Sequence, residues 1–537
     1  MTTLRGFIMA FLIILVISML VYRLYIQKSS KFKTHTVPSP SGLPLIGNTF
    51  QLSSQPHRQL LKWARQYGEI YRVRLGLMDW YMLNSPEAVK EILDKQSATT
   101  SSRPRMPVVF DALSGGMRFL FMPYGTEWRR LRTVSHKLLT PRMSDTFQPS
   151  QEFESKQLLH DLLTDNAKST EFYMHIRRYT VSVLMTSTYG RRIPQWECDD
   201  VRGIYQIVKD FSYVSTPGRY IADGVPGLAE LLPVRFQWWR KSLQPMLARQ
   251  ESIWMGFWSR LRNQMEKEEA PECFVKQFIE SEYHDMGITE IQAAFLAGSL
   301  IEAGAESTSA AVNSCMLYLS GYPDVQRRAH EELDNVVGNT RSPTFSDMVQ
   351  LPYIRAIVKE TLRIRPLTST GIPHYATADV NYKGYTIPKN SIIAIQQYPI
   401  HYDPSIFPEA EIFKPERYLG HPHRAGVYAA SANPRERDHW DFGAGRRICP
   451  GMHLAENSLF ITISKILWAF QVVAPGKVDL SHNAYEPGSM TIPKPFSVRF
   501  IPRNQEIERL VKMEWKVAEA EGYTLRDVKV NATGMTI

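Results

Sequence analysis

Cysteine is scarce in this 537-residue chain, and Cys198, Cys273, Cys315 and Cys449 stand far apart. No C-x2-C pair exists among them, which excludes zinc ribbons and fingers, and no disulfide framework suggests itself. Repeats and low-complexity segments are missing, and the 30 glycines and 34 prolines are spread along the length. Collagen-like and disordered chains are thereby excluded. The basic excess, 63 Lys and Arg against 53 Asp and Glu, comes without a zinc finger, an RNP-like aromatic motif or basic-region heptads. Nucleic acid is therefore not the expected partner. No flavin or nicotinamide fingerprint is visible either, so any redox chemistry needs an outside electron source.

Long apolar runs are also rare, with one exception at the amino terminus. Phe7 to Tyr22 is apolar and is followed by Arg23, Lys28, Lys31 and Lys33. Counted from Leu4 to Ile26, with Arg5 and Arg23 extending toward the interfaces, the run reaches roughly the 20 residues that a bilayer core demands. A signal peptide and a buried core helix are the rival readings. Against the first, the apolar part exceeds the usual h-region and no small-x-small cleavage site follows. Four basic residues after the run and one before it place the rest of the chain on the cytoplasmic side. The expected organisation is a transmembrane anchor over 1–26, a basic and proline-rich linker over 27–48, a large domain over 49–504 and a helical tail over 505–537. Hydrophobic residues make up 44% of the chain, enough for a core that encloses a large cofactor.

The prolines of Val37-Pro38-Ser39-Pro40 through Asn48 deny helix and predict a stiff extended connector. Alternating stretches near Tyr71–Leu75 and Trp80–Leu83, with a Pro86-started helix, predict a small sheet. The pattern is mostly helical from Asp145 to Asp334. Within it, Thr289 and Gln292 are spaced as a capping box for a helix reaching Ser320, before Gly321 and Pro323. At 1.5 Å per residue that helix is about 48 Å long. Most of its residues from Ala293 to Ile301 are apolar on all sides, and the run is then broken by Glu302, Gly304, Glu306, Ser307 and Thr308. Such groups cost free energy in a core unless they are satisfied or used. Further on come a helix with Glu360 and Arg363, strands within 375–397, a Gly-rich loop from His439 to Gly451 and a helix over 452–469. The tail sets Ile507, Leu510, Val511, Trp515 and Ala518 on one helical stripe, which predicts docking on the body. The fold class is mainly α with small β-sheets.

The loop Phe442-Gly443-Ala444-Gly445-Arg446-Arg447-Ile448-Cys449-Pro450-Gly451 concentrates features that favour a coordinated thiolate. A thiolate needs nearby amide donors and limited water. Gly445 and Gly451 permit close backbone approach, Arg447 offers a fork for a carboxylate, and the following helix aims its positive end at the same place.

This loop resembles the haem-ligand signature of the cytochrome P450 family, F-x-x-G-x-R-x-C-x-G, at every fixed position. Glu360-Thr361-Leu362-Arg363 resembles E-x-x-R, Pro415-Glu416-Arg417-Tyr418 the P-E-R-F-like segment, Ala303 to Thr308 the oxygen-binding helix, and Trp128 with Arg132 the W-x-x-x-R of the C-helix. Singly these are ordinary patterns: a lone Cys is usually a core residue and a lone E-x-x-R an exposed pair. The resemblance spans the chain from the proline hinge to about Pro502. It implies the P450 fold behind one transmembrane helix, haem b (iron protoporphyrin IX) as cofactor, and Cys449 as axial iron ligand. Trp128, Arg132, Arg447 and His374 would hold the haem propionates, and Phe442 would pack near the thiolate side of the ring. Glu360, Arg363 and Arg417 would form a buried ion network.

On the opposite face, Ala303 and Gly304 would leave space for dioxygen, with Glu306, Ser307 and Thr308 as the candidate catalytic group. Ser307 stands where the family most often has Thr, and Thr308 points about 100° away along the helix. Ser307 either relays protons or merely bonds back to the Ala303 carbonyl. Electrons would come from a membrane-bound NADPH-cytochrome reductase, docked on a basic patch of Arg129, Arg130, Arg132, Lys137 and Arg446, with plain solvated surface charge as the alternative reading of Arg129 and Lys137. The protein would sit in the endoplasmic reticulum membrane and insert oxygen from O2 into an apolar or aromatic substrate, in the manner of fungal enzymes of secondary metabolism. Pocket walls would be Pro107–Met122 with Phe110, Phe119 and Phe121, Tyr205–Leu228, Leu296–Glu302, Leu367–Ile372, and Gly488–Ile492 with Met490. Haem-dependent rearrangement or dehydration without external electrons, and haem binding without turnover, are the alternatives.

Overall fold

A computed structural model describes residues 36–534 apart from 45, 54, 166–170, 217, 489 and 527, together with residue 16. The anchor and the basic stretch after it lie outside the described residues. Among the described residues no helix is long and apolar enough to cross a membrane.

In chain order, α1 (Pro56–Tyr67) is followed by β1 (Ile70–Leu75) and β2 (Met78–Leu83), then by α2 (Thr126–Leu138), α3 (Gln148–Thr164), α4 (Phe172–Tyr189), α5 (Asp199–Val214) and α6 (Trp238–Glu266). The long α7 (Glu290–Gly321), α8 (Pro352–Ile364), β3 (His374–Tyr375), β4 (Ile392–Ile395), α9 (Met452–Ala469) and α10 (Gln505–Glu521) complete the frame. One four-stranded sheet has the order β1-β2-β4-β3. Its β1 and β2 pair antiparallel, with Ile70 opposite Leu83, while β2 and β4 run parallel, with Trp80 opposite Ile392. The parallel pair joins two segments some 300 residues apart, which no hairpin signal foretells.

The capping box of α7 forms as expected: the Thr289 N–H donates to Gln292 Oε1 at 3.0 Å and the Gln292 N–H to Thr289 Oγ1 at 3.4 Å. Two apolar clusters meet along this helix. Its first half, Ala293 to Ala305, packs with α2, α4, α5 and α6, and its second half, Ala311 to Leu319, with α8 and α9. The polar break falls where one cluster gives way to the other, with Ala305 still in the first and Glu306 buried beside it.

The proline-rich segment differs from the expectation of an extended spacer. Val37 is buried, Pro38 accepts the Arg72 N–H at 2.8 Å, and the chain reverses where Leu43 pairs with Gly47. Asn48 then accepts the Arg74 N–H at 3.0 Å and donates to Ser41 O at 3.1 Å. Its polar groups find partners on β1, so the segment docks on the sheet rather than standing off it. At the other end, the stripe of α10 is buried as read: Ile507, Leu510 and Val511 join the α8–α9 core, and Trp515 and Ala518 pack with Phe147, Phe153 and Leu454.

Candidate active site

The cysteine loop is held by its own backbone. The Cys449 N–H donates to Phe442 O at 2.8 Å, and Phe442 is buried against His439, ring to ring at 5.2 Å. Gly445 has φ +62°, and a Cβ there would lie 2.1 Å from the Leu93 carbonyl oxygen. Its N–H donates to Asp94 Oδ1 at 2.7 Å, so this glycine seats the loop on the π-helix Lys90–Lys95 and does not point an amide at sulfur. Gly451 differs from expectation as well: its φ is −87° and a Cβ would meet nothing within 4 Å. What it contributes is its N–H. Burial pushes the Cys449 thiol up, and the Gly451 amide and the Arg132 charge pull it back down.

Beside the loop, hydrogen-bond donors converge, and none of them pairs with a carboxylate among the described residues. Arg447 donates to Ser101 O at 2.8 Å and Met122 O at 2.6 Å, with its guanidinium 4.1 Å from the Trp128 ring centroid. Arg132 donates to Ile448 O at 2.6 Å. His374 is buried and its Nδ1 donates to Thr100 O at 2.8 Å. Arg103 joins them, donating to Ile372 O at 2.8 Å and Pro373 O at 2.7 Å. Sequence reading missed Arg103, because a lone Arg before Pro104 carries no motif. Burial and then the Arg103 and Arg132 charges bring Arg447 down to about 8, while burial and then Arg103 hold His374 far below its ordinary value. Trp128 is 2% exposed and its Nε1 has no partner among the described residues. A buried like-charged cluster with an orphaned donor is costly unless an anion satisfies it.

The polar break of α7 interrupts its burial. Ala303 is exposed although it sits midway along a helix buried on both sides. Ser307 Oγ donates to Ala303 O at 2.8 Å, the back-bonded alternative. Glu306 is buried and pairs with Arg177 of α4 at 2.7 Å, so the structure does not join its carboxylate to the Ser307 hydroxyl. The Thr308 hydroxyl makes no hydrogen bond among the described residues. Gly304 differs from expectation: a Cβ there would lie 2.7 Å from Leu184, so its lack of a side chain admits α4.

The expected ion network is present. Glu360 and Arg363 are both 0% exposed and joined by Nε to Oε2 at 2.7 Å and NH2 to Oε1 at 2.8 Å. Arg417 Nε lies 3.1 Å from Glu360 Oε2, and Arg363 ties His401 O and Ala410 O at 2.9 and 2.8 Å. His401 in turn accepts the Trp440 N–H at 2.8 Å, which carries the network to the cysteine loop.

A family model described as Cytochrome P450 matches residues 37–500. The chain belongs to the cytochrome P450 family. Fungal cytochrome P450 monooxygenases are among its relatives. It is 42% identical over 510 residues to the cytochrome P450 monooxygenase pgmC of Aspergillus terreus, covering 93% of this chain and 92% of that one. It is 39% identical over 496 residues to the cytochrome P450 monooxygenase verL of Clonostachys rogersoniana, covering 91% of each. With virE of Hypocrea virens, also a cytochrome P450 monooxygenase, it shares 34% over 490 residues, 89% of this chain and 87% of that one. The P450 is an oxidoreductase of the monooxygenase class with haem b as cofactor. The residues present fit that group: a soft sulfur ligand in a half-buried loop, and cations with a Trp128 donor unpartnered among the described residues, suited to two carboxylates.

Four of the five segments expected as pocket walls adjoin in two groups. Val108, Val109, Phe121 and Val214 share one apolar cluster with Phe110, Phe211 and Ile372, and Thr368 bridges to Met490.

Proposed function

We propose that this P450 inserts one oxygen atom from O2 into an apolar or aromatic organic substrate, with hydroxylation as the expected outcome. The observation that carries this reading is the convergence of Arg103, Arg132, Arg447, His374 and Trp128 beside Cys449, with no carboxylate paired to them among the described residues. In it, Cys449 ligates haem iron, and the haem supplies oxygen activation when bound. The three arginines and Trp128 hold the propionates as charge-assisted donors. His374 already spends Nδ1–H on Thr100, so it donates from Nε2 only when a neighbouring anion favours its protonation. Phe442 shields the sulfur side. Glu306, Ser307 and Thr308 serve proton delivery, with Thr308 as the hydroxyl that no backbone carbonyl engages. The reduced carbon monoxide difference spectrum tests the thiolate, and NADPH- and O2-dependent product formation tests the reaction.

Exposed Arg129, Arg130, Lys137 and Arg446 suit docking of an acidic NADPH-cytochrome reductase. Reversal of Arg129 and Lys137 to Glu should slow haem reduction at low salt. Membrane attachment through the first 26 residues, an endoplasmic reticulum location and a place in fungal secondary metabolism complete the proposal, supported by the apolar run and by the fungal relatives. The Ser307–Ala303 bond favours one second reading, haem-dependent rearrangement or dehydration without external electrons. Product formation without NADPH would select it. Under the monooxygenase reading, Ser307→Ala raises peroxide release per NADPH consumed; unchanged coupling would leave Ser307 a helix-bonding residue only.

A further inference from the structure

The polar break of α7 holds one carboxylate that the proposed chemistry does not use. Glu302 lies one turn before Glu306, with its side chain 11% exposed. Its Oε1 takes NH1 of Arg118. Its Oε2 accepts no hydrogen bond among the described residues yet keeps accessible surface.

Arg118 has no freedom to follow a ligand. Its side chain is 5% exposed, Nε donates to Ser114 Oγ at 3.0 Å, and NH2 donates to Gln250 Oε1 at 3.0 Å. The guanidinium carbon lies 4.4 Å from the Phe211 ring centroid. Gln250 of α6 is pinned through Nε2 to Leu113 O at 2.8 Å. Three elements thus fix the cation, and the cation fixes Glu302. The neighbouring wall is apolar and aromatic: Phe211 meets Phe121 at 5.9 Å between centroids, and both share a cluster with Phe110 and Ile372. One oriented carboxylate oxygen in such a wall is costly unless a donor reaches it. Because Arg118 already balances the charge, the matching donor is neutral, a hydroxyl rather than an ammonium.

We propose that Glu302 is a specificity-determining residue: its Oε2 anchors a hydroxyl-bearing, ring-containing apolar substrate and so selects which carbon faces the haem. The inference rests on the monooxygenase reading above. A purely structural role, tying α7 to α6 and Ser114, would leave ligand preference untouched.

The test uses full-length haem-loaded protein titrated by calorimetry with 2-naphthol, which donates a hydrogen bond, and 2-methoxynaphthalene, which only accepts. Glu302→Gln keeps an oxygen for Arg118 and turns an NH2 toward the ligand. Wild type should prefer 2-naphthol by about ten-fold or more, and in Glu302→Gln the ratio should collapse or reverse. Equal affinities in wild type, binding of neither probe, or an unchanged ratio in the variant would overturn the anchor. The wild-type measurement decides even if the variant folds poorly. The reduced carbon monoxide spectrum of the same samples separates the two readings: an intact spectrum with a flat ratio removes only the anchor, whereas loss of the thiolate spectrum removes the monooxygenase reading.

Discussion

At Trp128 packing and hydrogen bonding part company. Its ring is stacked on Phe119 at 5.8 Å and on the Arg447 guanidinium at 4.1 Å, while Nε1 has no partner among the described residues. Trp128→Phe keeps most of that packing and deletes the donor. A charge-assisted hydrogen bond contributes about 1.5–3 kcal/mol, so haem should dissociate roughly ten-fold faster or more, measured by transfer to an excess of apomyoglobin. Folding should hardly change, because an orphaned donor is removed rather than a made bond. The motif W-x-x-x-R made Trp128 and Arg132 legible in the sequence. Arg103 was not, since its value lies in meeting Ile372 and Pro373 from a remote segment.

At the scale of elements, the cysteine loop depends on its seat. At Gly445 any side chain would collide with a backbone oxygen, and φ +62° is a conformation L-residues rarely adopt. Gly445→Ala should therefore lift the loop from Lys90–Lys95 and cost about 2 kcal/mol or more in stability, with lower haem content. Thermal melting and the haem-to-protein absorbance ratio check both. Acid should loosen α1 instead. His57 stacks on Tyr398 at 4.8 Å, its Nε2 lies 3.1 Å from His482 Nδ1, and burial brings the two histidines down to about 4 and about 3. The unfolded chain takes up these protons near 6.5 and the folded one only near 4 and below. Their contribution is thus present above about pH 6.5 and lost as pH falls toward 4. Melting temperature should drop over that window, and the drop should be smaller in a His57→Gln, His482→Gln double variant.

For the whole molecule, the tail beyond the family match is part of the core. Residues after 504 contribute Ile507, Leu510, Val511, Trp515 and Ala518, and the Ala532 carbonyl caps Arg192, which pairs with buried Glu154 at 2.7 Å. Full burial of each large side chain stabilises by about 1.5–3 kcal/mol, so their sum rivals the net stability of a domain. Truncation after Asn504 should abolish soluble haem-loaded protein; normal yield and melting temperature would show the tail dispensable.

What the sequence by itself determined is local or repeated in register: the capping box and length of α7, the break at residues 302–308, the cysteine loop, the Glu360–Arg363 pair and the α10 stripe. Each follows from spacing along one element. Tertiary structure alone decided that Glu306 meets Arg177, that Ser307 turns back to Ala303, that Gly304 makes room for Leu184, and that Arg118 fixes Glu302. These contacts join segments far apart in the chain, and the partner of a buried charge or the neighbour of a glycine depends on packing that no periodicity encodes.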